Sequence, residues 1–238
     1  MDRLAGKKVI VTGGTRGIGR AVVERLLREG AAVAFCGRTA TSVARAVEQM
    51  TALGRVFGLA ADVTDYAQVR DFFRAASHQL GGLDILVNNA GEGVFKKVGE
   101  MTPEEWRRNI DLNLNGAFYC THEALALFGT HGGFVVNISS LAAKNAFTGG
   151  AGYNASKAGL NKFTEALMLD HRHDNVRVCS IMPGSVDTEF GGDSAKRSGD
   201  TSWMIAPDDV AETVAMVLSM PERTMISAVE MRPSRPKK

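Results

Sequence analysis

The sequence contains no apolar run long enough to cross a lipid bilayer, and its first residues lack the apolar stretch of a signal peptide. It holds only three cysteines, Cys36, Cys120 and Cys179, which are widely spaced and form neither a CxxC pair nor a cluster with histidine. We therefore expect no zinc site and no metal requirement. Together these features predict a reduced, cytoplasmic protein without a membrane partner.

Charge of one sign is also scarce. The formal net charge is +2, from 28 Lys and Arg against 26 Asp and Glu. A nucleic-acid-binding protein usually shows a concentrated basic surface, so no nucleic-acid partner is expected. The one basic cluster, Arg232–Lys238, is interpreted as a solvated terminus. A length of 238 residues with 45% hydrophobic residues suits a single large α/β domain over residues 1–238.

Short apolar runs alternate with longer segments of helical period. The predicted strands are Lys7–Val11, Ala31–Cys36, Val56–Ala60, Ile85–Val87, Phe134–Ile138, Val176–Met182 and Met225–Met231. The predicted helical segments are Ile18–Arg28, Val43–Met50, Val69–His78, Pro103–Phe128, Gly152–His171 and Pro207–Met220. Apolar strands without strict alternation are typical of a parallel sheet covered on both faces. The pattern predicts a doubly wound Rossmann domain with a mostly or wholly parallel seven-stranded sheet and helices on both faces.

The long helix Pro103–Phe128 carries a clear start signal. Thr102 is a suitable N-cap, Pro103 suits the first helical position, and Glu105 completes a capping box.

A glycine-rich loop joins the first predicted strand to the first helix. Its sequence is Thr12-Gly13-Gly14-Thr15-Arg16-Gly17-Ile18-Gly19. Glycines allow a tight turn and close approach to a pyrophosphate, and the helix N-terminus supplies free N–H groups. Taken alone, the loop could be a turn without a ligand. Its place at the first strand–helix junction favours a dinucleotide site.

Tyr153 and Lys157 stand four residues apart in a predicted helix, which places them on one face. A free tyrosine has a pKa of ~10, and a neighbouring ammonium group lowers that pKa by favouring the phenolate. Tyr153 is then suited to exchange a proton with a carbonyl oxygen. Because such pairs also arise by chance on surface helices, the pair alone does not identify a catalytic site.

The motifs occur together in a fixed order. The glycine loop is followed by Asn88-Asn89-Ala90-Gly91, and then by Asn113, Ser140, Tyr153, Lys157 and Pro183-Gly184. In this combination the chain resembles the short-chain dehydrogenase/reductase family over nearly its whole length. It is most similar there to bacterial 3-oxoacyl-[acyl-carrier-protein] reductases and related carbonyl reductases. The end departs from that pattern, because Ile226–Pro233 stands where such enzymes often have a strand followed by Asp-Gly-Gly.

The resemblance implies a catalytic tetrad of Asn113, Ser140, Tyr153 and Lys157. Tyr153 would transfer the proton, while Lys157 would tune Tyr153 and hold the nicotinamide ribose. Ser140 would polarise the substrate oxygen. No metal takes part in this chemistry.

Two members of this tetrad have close neighbours as alternatives. The family spacing to the tyrosine favours Ser140, and Ser139 is expected to support the turn. Asn113 would hold a water that links the lysine to solvent, whereas Asn115 is expected to be a solvated helical residue.

The residues that follow the second predicted strand indicate NADP(H) as the cofactor. NAD enzymes commonly place an acid after this strand, whereas here it ends Cys36-Gly37-Arg38-Thr39. Arg16 and Arg38 are available for a 2′-phosphate, which planar guanidinium groups bind well. The full predicted cofactor set is Gly13, Thr15, Arg16, Gly17, Ile18, Gly19, Arg38, Asp62, Val63, Asn89, Ala90, Gly91, Tyr153, Lys157, Pro183, Gly184, Val186 and Thr188.

Some of these assignments have structural alternatives. The resemblance implies that Asp62 contacts the adenine and Val63 packs against it, but Asp62 could instead cap a helix, as Asp65 could. Asn88 could serve the sheet alone. Thr188 and the backbone of Val186 would bind the carboxamide.

A substrate lid is predicted at about residues 186–206, a segment rich in glycine, serine and charge. Candidate pocket residues are Phe147, Phe190, Trp203 and Met204, each of which could equally be ordinary packing.

The resemblance implies an NADP(H)-dependent oxidoreductase that transfers a hydride between nicotinamide and a carbonyl or secondary alcohol. The expected substrate is a 3-oxoacyl thioester or another small-molecule ketone. One alternative is an NADP-dependent alcohol or sugar dehydrogenase working in oxidation. Another is a non-catalytic NADP(H)-sensing regulator, which the complete tetrad disfavours. Family members pair through the helices that hold Asn113 and Tyr153, so a homodimer or homotetramer is expected.

Overall fold

The apolar runs of the sequence form parallel strands that are joined into one sheet. The computed structural model describes residues 4–190 and 200–236, and the following elements lie within those ranges. The strands are β1 Lys8–Thr12, β2 Ala32–Gly37, β3 Val56–Ala60, β4 Ile85–Asn88, β5 Gly133–Ile138, β6 Val176–Pro183 and β7 Ala228–Met231. The helices are α1 Gly17–Arg28, α2 Ala40–Met50, α3 Tyr66–Leu80, α4 Pro103–Ile110, α5 Gly116–Phe128, α6 Ala151–His171 and α7 Pro207–Leu218.

The sheet order places a topological switch beside the first strand. The order is β3-β2-β1-β4-β5-β6-β7, and every neighbouring pair is parallel. Val9 of β1 pairs with Val33 of β2 on one side and with Ile85 of β4 on the other. The predicted doubly wound, seven-stranded parallel sheet is confirmed. In such a sheet the ligand crevice lies beyond the carboxyl ends of the strands at the switch, here β1 and β4.

The two faces of the sheet bury separate apolar clusters, which explains why the central strands are apolar throughout. In β1, Val9 and Val11 belong to one cluster and Ile10 to the other, since successive side chains point to opposite faces. The first cluster includes residues of α1, α2 and α7. The second includes residues of α3, α5 and α6.

The predicted helix Pro103–Phe128 is interrupted. Its start is as expected, because the Thr102 hydroxyl accepts from the Glu105 N–H at 3.2 Å and the Glu105 carboxylate accepts from the Thr102 N–H at 3.0 Å. Five residues, Asp111–Asn115, then form a π-helical turn before α5 begins. The prediction of one regular helix is therefore wrong at this point. Widened turns of this kind occur often at functional sites.

The last strand is shorter than predicted. β7 begins at Ala228 and not at Met225, and it pairs with β6 alone at the edge of the sheet. At the start of the predicted strand, the backbone N–H of Val178 donates to the sulfur of Met225 and not to a backbone carbonyl. The Met225 side chain thus takes the place of the backbone carbonyl that would accept this hydrogen bond in a regular sheet.

The predicted lid at about residues 186–206 lies partly outside the described residues, which omit 191–199. Its two flanks are joined. The Asp187 N–H donates to the Ile205 carbonyl at 2.9 Å, and the Ile205 N–H donates to the Ser185 carbonyl at 3.0 Å.

In the described ranges, no helix is both long enough and apolar enough to span a membrane. Cys36, Cys120 and Cys179 are all buried and free.

Candidate active site

A cavity of about 1170 Å³ opens beyond the carboxyl ends of the central strands. Every residue that the sequence predicts to bind cofactor lines this cavity, from Gly13 in the first loop to Thr188 after β6. Ser140 lines it too, so that three members of the predicted tetrad share the cavity with the glycine loop. The doubly wound topology accounts for this convergence, since each of these segments follows a strand.

The glycine loop is closely packed and its helix end is open. Gly13 and Gly17 have φ values of 69° and 55°, which favour glycine. A Cβ on Gly19 would lie 2.2 Å from the Gly13 carbonyl oxygen and 2.3 Å from the Asn89 Nδ2. At the N-terminus of α1, Arg16 makes no side-chain cap and the first turn holds no acid. The first N–H groups of the helix are therefore not blocked by a capping side chain.

Hydrogen bonds tie the ends of β1 and β4 together at this loop. The Thr12 hydroxyl accepts from the N–H groups of Asn89 and Ala90, both at 3.0 Å. The Asn89 amide donates to the carbonyl oxygens of Thr12 at 2.9 Å and Gly13 at 3.1 Å. Asn89 and Ala90, the middle of the predicted Asn88–Gly91 motif, are thus tied to the end of β1 beside the cavity.

Asn88 points away from the cavity, into a buried polar chain. Its amide donates to the Thr121 hydroxyl at 3.0 Å and to the side-chain carbonyl of Asn137 at 2.9 Å. Asn137 in turn donates to the Thr164 hydroxyl at 2.8 Å. This chain links β4 and β5 to α5 and α6, which gives Asn88 the structural role that the sequence left open.

Tyr153 and Ser140 line the same cavity, and Ser140 influences the pKa of the tyrosine. Tyr153 is 9% exposed, and burial raises the pKa of its phenol to about 12. A hydrogen bond with the Ser140 hydroxyl opposes this shift and lowers the pKa. Ser140 also accepts from the Ala142 N–H at 3.1 Å, which fixes the turn that follows β5.

Lys157 does not have the predicted effect on Tyr153. Its Nζ lies 5.8 Å from the centroid of the Tyr153 ring and donates to the Ile138 carbonyl at 2.9 Å. Burial lowers the pKa of Lys157 to about 8, so the ammonium form still predominates at pH 7. The expectation that Lys157 lowers the pKa of Tyr153 is therefore wrong for the side chains by themselves, because desolvation dominates.

Ser139, the alternative to Ser140, is buried and turned toward the helix. Its hydroxyl lies 3.5 Å from the Lys157 carbonyl oxygen. This contact ties the end of β5 to α6, in agreement with the supporting role expected for Ser139.

Asn113 lies behind the cavity wall and is 1% exposed. Its Oδ1 accepts from the Glu92 N–H at 3.1 Å, and its Nδ2 donates to the Glu92 carbonyl at 2.9 Å and to the Ser156 hydroxyl at 3.1 Å. Asn109, one helical turn earlier, makes a similar pair of bonds with Val94. The sequence did not single out Asn109. Its four-residue spacing from Asn113 was the available signal.

The two predicted phosphate-binding arginines both face carboxylates. Arg16 lies 3.3 Å from Glu189, and Arg38 lies 3.9 Å from Glu92. Glu92 also pairs with Arg108 of α4. Glu92, which directly follows the Asn88–Gly91 motif, also lines the cavity, and the sequence did not indicate it.

Asp62 fills the turn after β3 and also lines the cavity. Its Oδ1 accepts from the N–H of Thr64 at 2.9 Å and from the Thr64 hydroxyl at 2.8 Å. Asp65 is the residue that caps α3, by accepting from the N–H groups of Ala67 and Gln68. The helix cap considered for both aspartates is therefore Asp65, and Asp62 does not cap α3.

Three of the four candidate pocket residues, Phe147, Phe190 and Trp203, line the cavity. Met204 is not among the lining residues and is 9% exposed. Phe95, which the sequence did not indicate, lines the cavity and packs edge-on against Tyr153, with ring centroids 5.6 Å apart.

The described part of the C-terminal segment is largely exposed, as predicted, and it also borders the cavity. Arg232, Pro233 and Pro236 line the cavity, and Arg232 pairs with Glu230 at 2.9 Å. The bond from the Gly184 N–H to the Met231 carbonyl, at 2.9 Å, brings this segment beside the Pro183-Gly184 turn.

Across residues 4–190 and 200–236, no group of three or more His, Cys, Asp or Glu side chains is placed to hold a metal ion.

Comparisons with known proteins agree with the fold. The family model for short chain dehydrogenase matches residues 7–198. The chain is 31% identical over 234 residues to an uncharacterized oxidoreductase of Staphylococcus aureus strain N315, which covers 98% of this chain and 100% of that protein. The narrower likeness to 3-oxoacyl-[acyl-carrier-protein] reductases stays a prediction.

Two solved structures are similar over almost their whole length. One is an alcohol dehydrogenase from the archaeon Thermococcus sibiricus complexed with 5-hydroxy-NADP, with a TM-score of 0.90, 28% identity, and coverage of 98% of this chain and 99% of that one. The other is a short chain dehydrogenase from Burkholderia cenocepacia J2315 in complex with NADP, with a TM-score of 0.88, 31% identity, and coverage of 97% and 98%. The predicted resemblance is confirmed: this chain belongs to the short-chain dehydrogenase family of oxidoreductases.

Proposed function

We propose that the protein is an NADP(H)-dependent oxidoreductase that interconverts a ketone and a secondary alcohol, with Tyr153 as the acid and base. The observation that carries this proposal is the shared cavity. Ser140, Tyr153 and Lys157 line the same space as an uncapped helix N-terminus and two arginines. Proton-transfer groups and phosphate-binding groups are thereby placed within reach of one ligand.

The residues present fit a nicotinamide dinucleotide phosphate. The first loop has no room for a Cβ at Gly19, so it forms a backbone cradle of the kind that approaches a pyrophosphate closely. Arg16 and Arg38 would hold the 2′-phosphate, and Lys157 would hold the nicotinamide ribose. When bound, the nicotinamide ring supplies or accepts the hydride. Two structural neighbours were solved with NADP or a derivative of it, which supports this assignment.

Tyr153 holds the proton that the reaction moves. With a pKa of about 12, its hydroxyl is protonated at neutral pH and can donate to a carbonyl oxygen during reduction. The Ser140 hydroxyl, which lowers the pKa of Tyr153 and lines the same cavity, would bond the same oxygen. Lys157, which is mainly protonated at pH 7, provides a cation behind Tyr153 and can replace its proton.

The finer substrate choice follows from the walls of the cavity. A 3-oxoacyl thioester is compatible with the open cavity, but the C-terminal segment differs from the ending of those enzymes. A sugar dehydrogenase would need hydroxyl-binding groups where aromatic rings stand beside Tyr153. An alcohol or ketone is therefore the substrate we favour. A sensor without catalysis is disfavoured because all four tetrad residues are present.

The test is a panel of ketones, 3-oxoacyl thioesters and quinones, assayed by oxidation of NADPH and, in parallel, of NADH. Tyr153→Phe should lower kcat by about 10²- to 10⁴-fold, because it removes the proton donor, while NADPH binding measured by nucleotide fluorescence is retained. Tyr66→Phe is the matched control, since the Tyr66 hydroxyl bonds Glu123 on the outside of the protein. Full activity of Tyr153→Phe, or tight NADPH binding with no turnover across the panel, would refute the proposal.

We also propose that two copies pair through α5 and α6. Phe118 and Leu169 on these helices are 48% and 58% exposed, and the ring of Phe118 packs edge-on against that of Phe163 at 6.1 Å. A second copy of the same face would remove this apolar surface from water. Phe118→Glu should yield a monomer by light scattering, whereas Met216→Glu on α7, 45% exposed, should not change the mass. An unchanged mass for Phe118→Glu would exclude this face.

A further inference from the structure

We propose that Phe95, Phe147 and Phe190 form a binding site for an aryl group, so that the enzyme prefers aryl ketones and the corresponding alcohols to small aliphatic or polar carbonyls. This inference rests on the proposed function, in which Tyr153 acts on the carbonyl oxygen. Three observations support it: the arrangement of the rings, the backbone that accommodates them, and the chemistry of their neighbours.

The rings are grouped around Phe95. Its centroid lies 5.7 Å from that of Phe147, 6.4 Å from that of Phe190 and 5.6 Å from that of Tyr153. Phe190 also packs against Tyr153, at 5.5 Å. These separations and tilted orientations are those of favourable aromatic pairs. A planar ring that joined the group would lie directly beside the phenol that carries the proton.

Two of the rings are exposed within the cavity. Phe95 is 42% exposed and Phe147 is 46% exposed, and both line the cavity. Elsewhere the chain buries Phe35 and Phe134 almost completely, at 0% and 2%. Apolar rings left open in a concave site beside a reactive group are typical of ligand-binding positions.

The backbone beneath the rings is shaped to admit them. A Cβ on Gly93 would lie 2.3 Å from the Cζ of Phe95, and a Cβ on Gly150 would lie 2.6 Å from the Cζ of Phe147. Each ring thus occupies the space of an absent side chain. The Asn109 amide, 0% exposed, bonds both polar backbone groups of Val94 and so fixes the residue before Phe95.

Several polar donors next to the rings are engaged within the protein. Lys96, which follows Phe95, pairs with Glu105. Lys144, three residues before Phe147, pairs with Glu230. The Asn154 amide donates to the Ala142 carbonyl at 2.6 Å and to that of Asn145 at 3.1 Å. These donors are therefore less available to bind sugar hydroxyls or a substrate carboxylate, which favours an apolar aryl group. The buried Oδ1 of Asn154 has no hydrogen-bond partner.

The experiment compares three carbonyl compounds as substrates with NADPH: acetophenone, 2-butanone and dihydroxyacetone. We expect wild-type kcat/KM to be highest for acetophenone. Phe95→Ala should lower kcat/KM for acetophenone by about tenfold or more and change that for 2-butanone by less than about threefold, since a hydrophobic pocket discriminates on this scale. Trp106→Ala is the control, because Trp106 is also 42% exposed but lies on α4 outside the cavity lining.

A second variant and a binding measurement cover the case in which Phe95→Ala fails to fold. Phe147→Ala should show the same selective loss of kcat/KM for acetophenone. In either variant, calorimetric titration of acetophenone into the complex with oxidised NADP should show weaker binding of acetophenone. Equal losses for both ketones, or a wild-type enzyme with no preference for acetophenone, would overturn the aryl site and leave the proposed function standing. Tight NADPH binding with no turnover by the wild type of these three compounds or of any member of the wider panel would instead refute the proposed function.

Discussion

The side-chain amide of Asn113 bonds both polar groups of the Glu92 backbone, accepting from its N–H at 3.1 Å and donating to its carbonyl at 2.9 Å. This is the pattern of a single rung of a β-ladder, formed between a π-helical turn and the loop after β4. Gly91, the preceding residue, is packed so tightly that a Cβ there would lie 2.7 Å from the Asn113 Oδ1. The side chain of Asn113 therefore positions the loop that borders the cavity.

Replacement of Asn113 by alanine should destabilise the protein and lower its activity together. The substitution removes three hydrogen bonds, two with the partly buried backbone of Glu92 and one with the buried Ser156 hydroxyl. Unfolding in urea should show a loss on the order of 2–4 kcal/mol in the free energy of unfolding. Asn115→Ala is the control, because Asn115 only bonds Asp111 within its own helical segment. Equal stability of the two variants would contradict this role.

The sequence predicted those features that depend on local pattern. Strand ends in a parallel sheet meet at one edge, so the order of the strands alone was enough to place the glycine loop, Ser140 and the Pro183-Gly184 turn together. The four-residue spacing of Tyr153 and Lys157 likewise predicted a shared helical face. Each of these predictions needs only the period of an element and its order in the chain.

The features that were missed depend on contacts between distant loops. Phe95 stands in an irregular segment whose path is set by Asn109, and no periodic pattern indicates it. Arg38 follows β2 and Glu92 follows β4. The two side chains meet because both strands are neighbours of β1 and end at the same edge of the sheet. The prediction of a lowered pKa for Tyr153 was wrong for a similar reason. The burial that raises this pKa depends on everything packed around the ring and not on the one partner four residues away.

Arg38→Asp should weaken the preference for NADPH over NADH. The substitution replaces a cation that would face the 2′-phosphate with an anion, next to the existing carboxylate of Glu92. The dissociation constant for NADPH should rise by about tenfold or more, because a charge-assisted bond is lost and a repulsion is added, while that for NADH changes much less. Fluorescence titration with both nucleotides measures this difference.

Arg45→Asp provides the matched control for Arg38→Asp, since Arg45 is an exposed arginine of α2 that is not among the cavity-lining residues. It should leave the ratio of the two dissociation constants unchanged. A ratio in Arg38→Asp that equals that of the wild type would remove Arg38 from the proposed phosphate site.

Gly19→Ala should abolish nucleotide binding by forcing the first loop open. The added Cβ would lie 2.2 Å from the Gly13 carbonyl oxygen, a backbone atom that cannot swing aside as a side chain would. Overpacking of this kind costs about 1–3 kcal/mol or more. Gly99→Ala is the control, because its Cβ would meet nothing within 4 Å. Thermal melts with and without NADPH should show a lower Tm for Gly19→Ala than for the wild type, and no increase in its Tm when NADPH is added. Gly99→Ala should behave like the wild type in both respects.

Lys157→Met should change how the stability of the protein depends on pH. Burial lowers the pKa of Lys157 from 10.5 to about 8, so the folded state releases this proton at a lower pH than the unfolded state does. Between about pH 8 and 10.5 the unfolded state binds more protons, and the contribution of Lys157 to stability therefore rises with pH. Relative to Lys157→Met, the wild type should gain about 2 kcal/mol in the free energy of unfolding between pH 7.5 and 9.5.

The comparison of the two chains isolates Lys157 from the other buried groups that titrate in this range. Burial raises the pKa of Cys36 to about 11 and that of Cys179 to about 12, so both favour the folded state less as the pH rises above 9. Because both chains retain these thiols, their effect cancels in the difference. Urea unfolding at several pH values gives that difference directly. If the free energies of unfolding of the wild type and Lys157→Met change with pH in the same way, Lys157 is not held in a desolvated site. A wild type that gains stability relative to Lys157→Met toward low pH would contradict the lowered pKa.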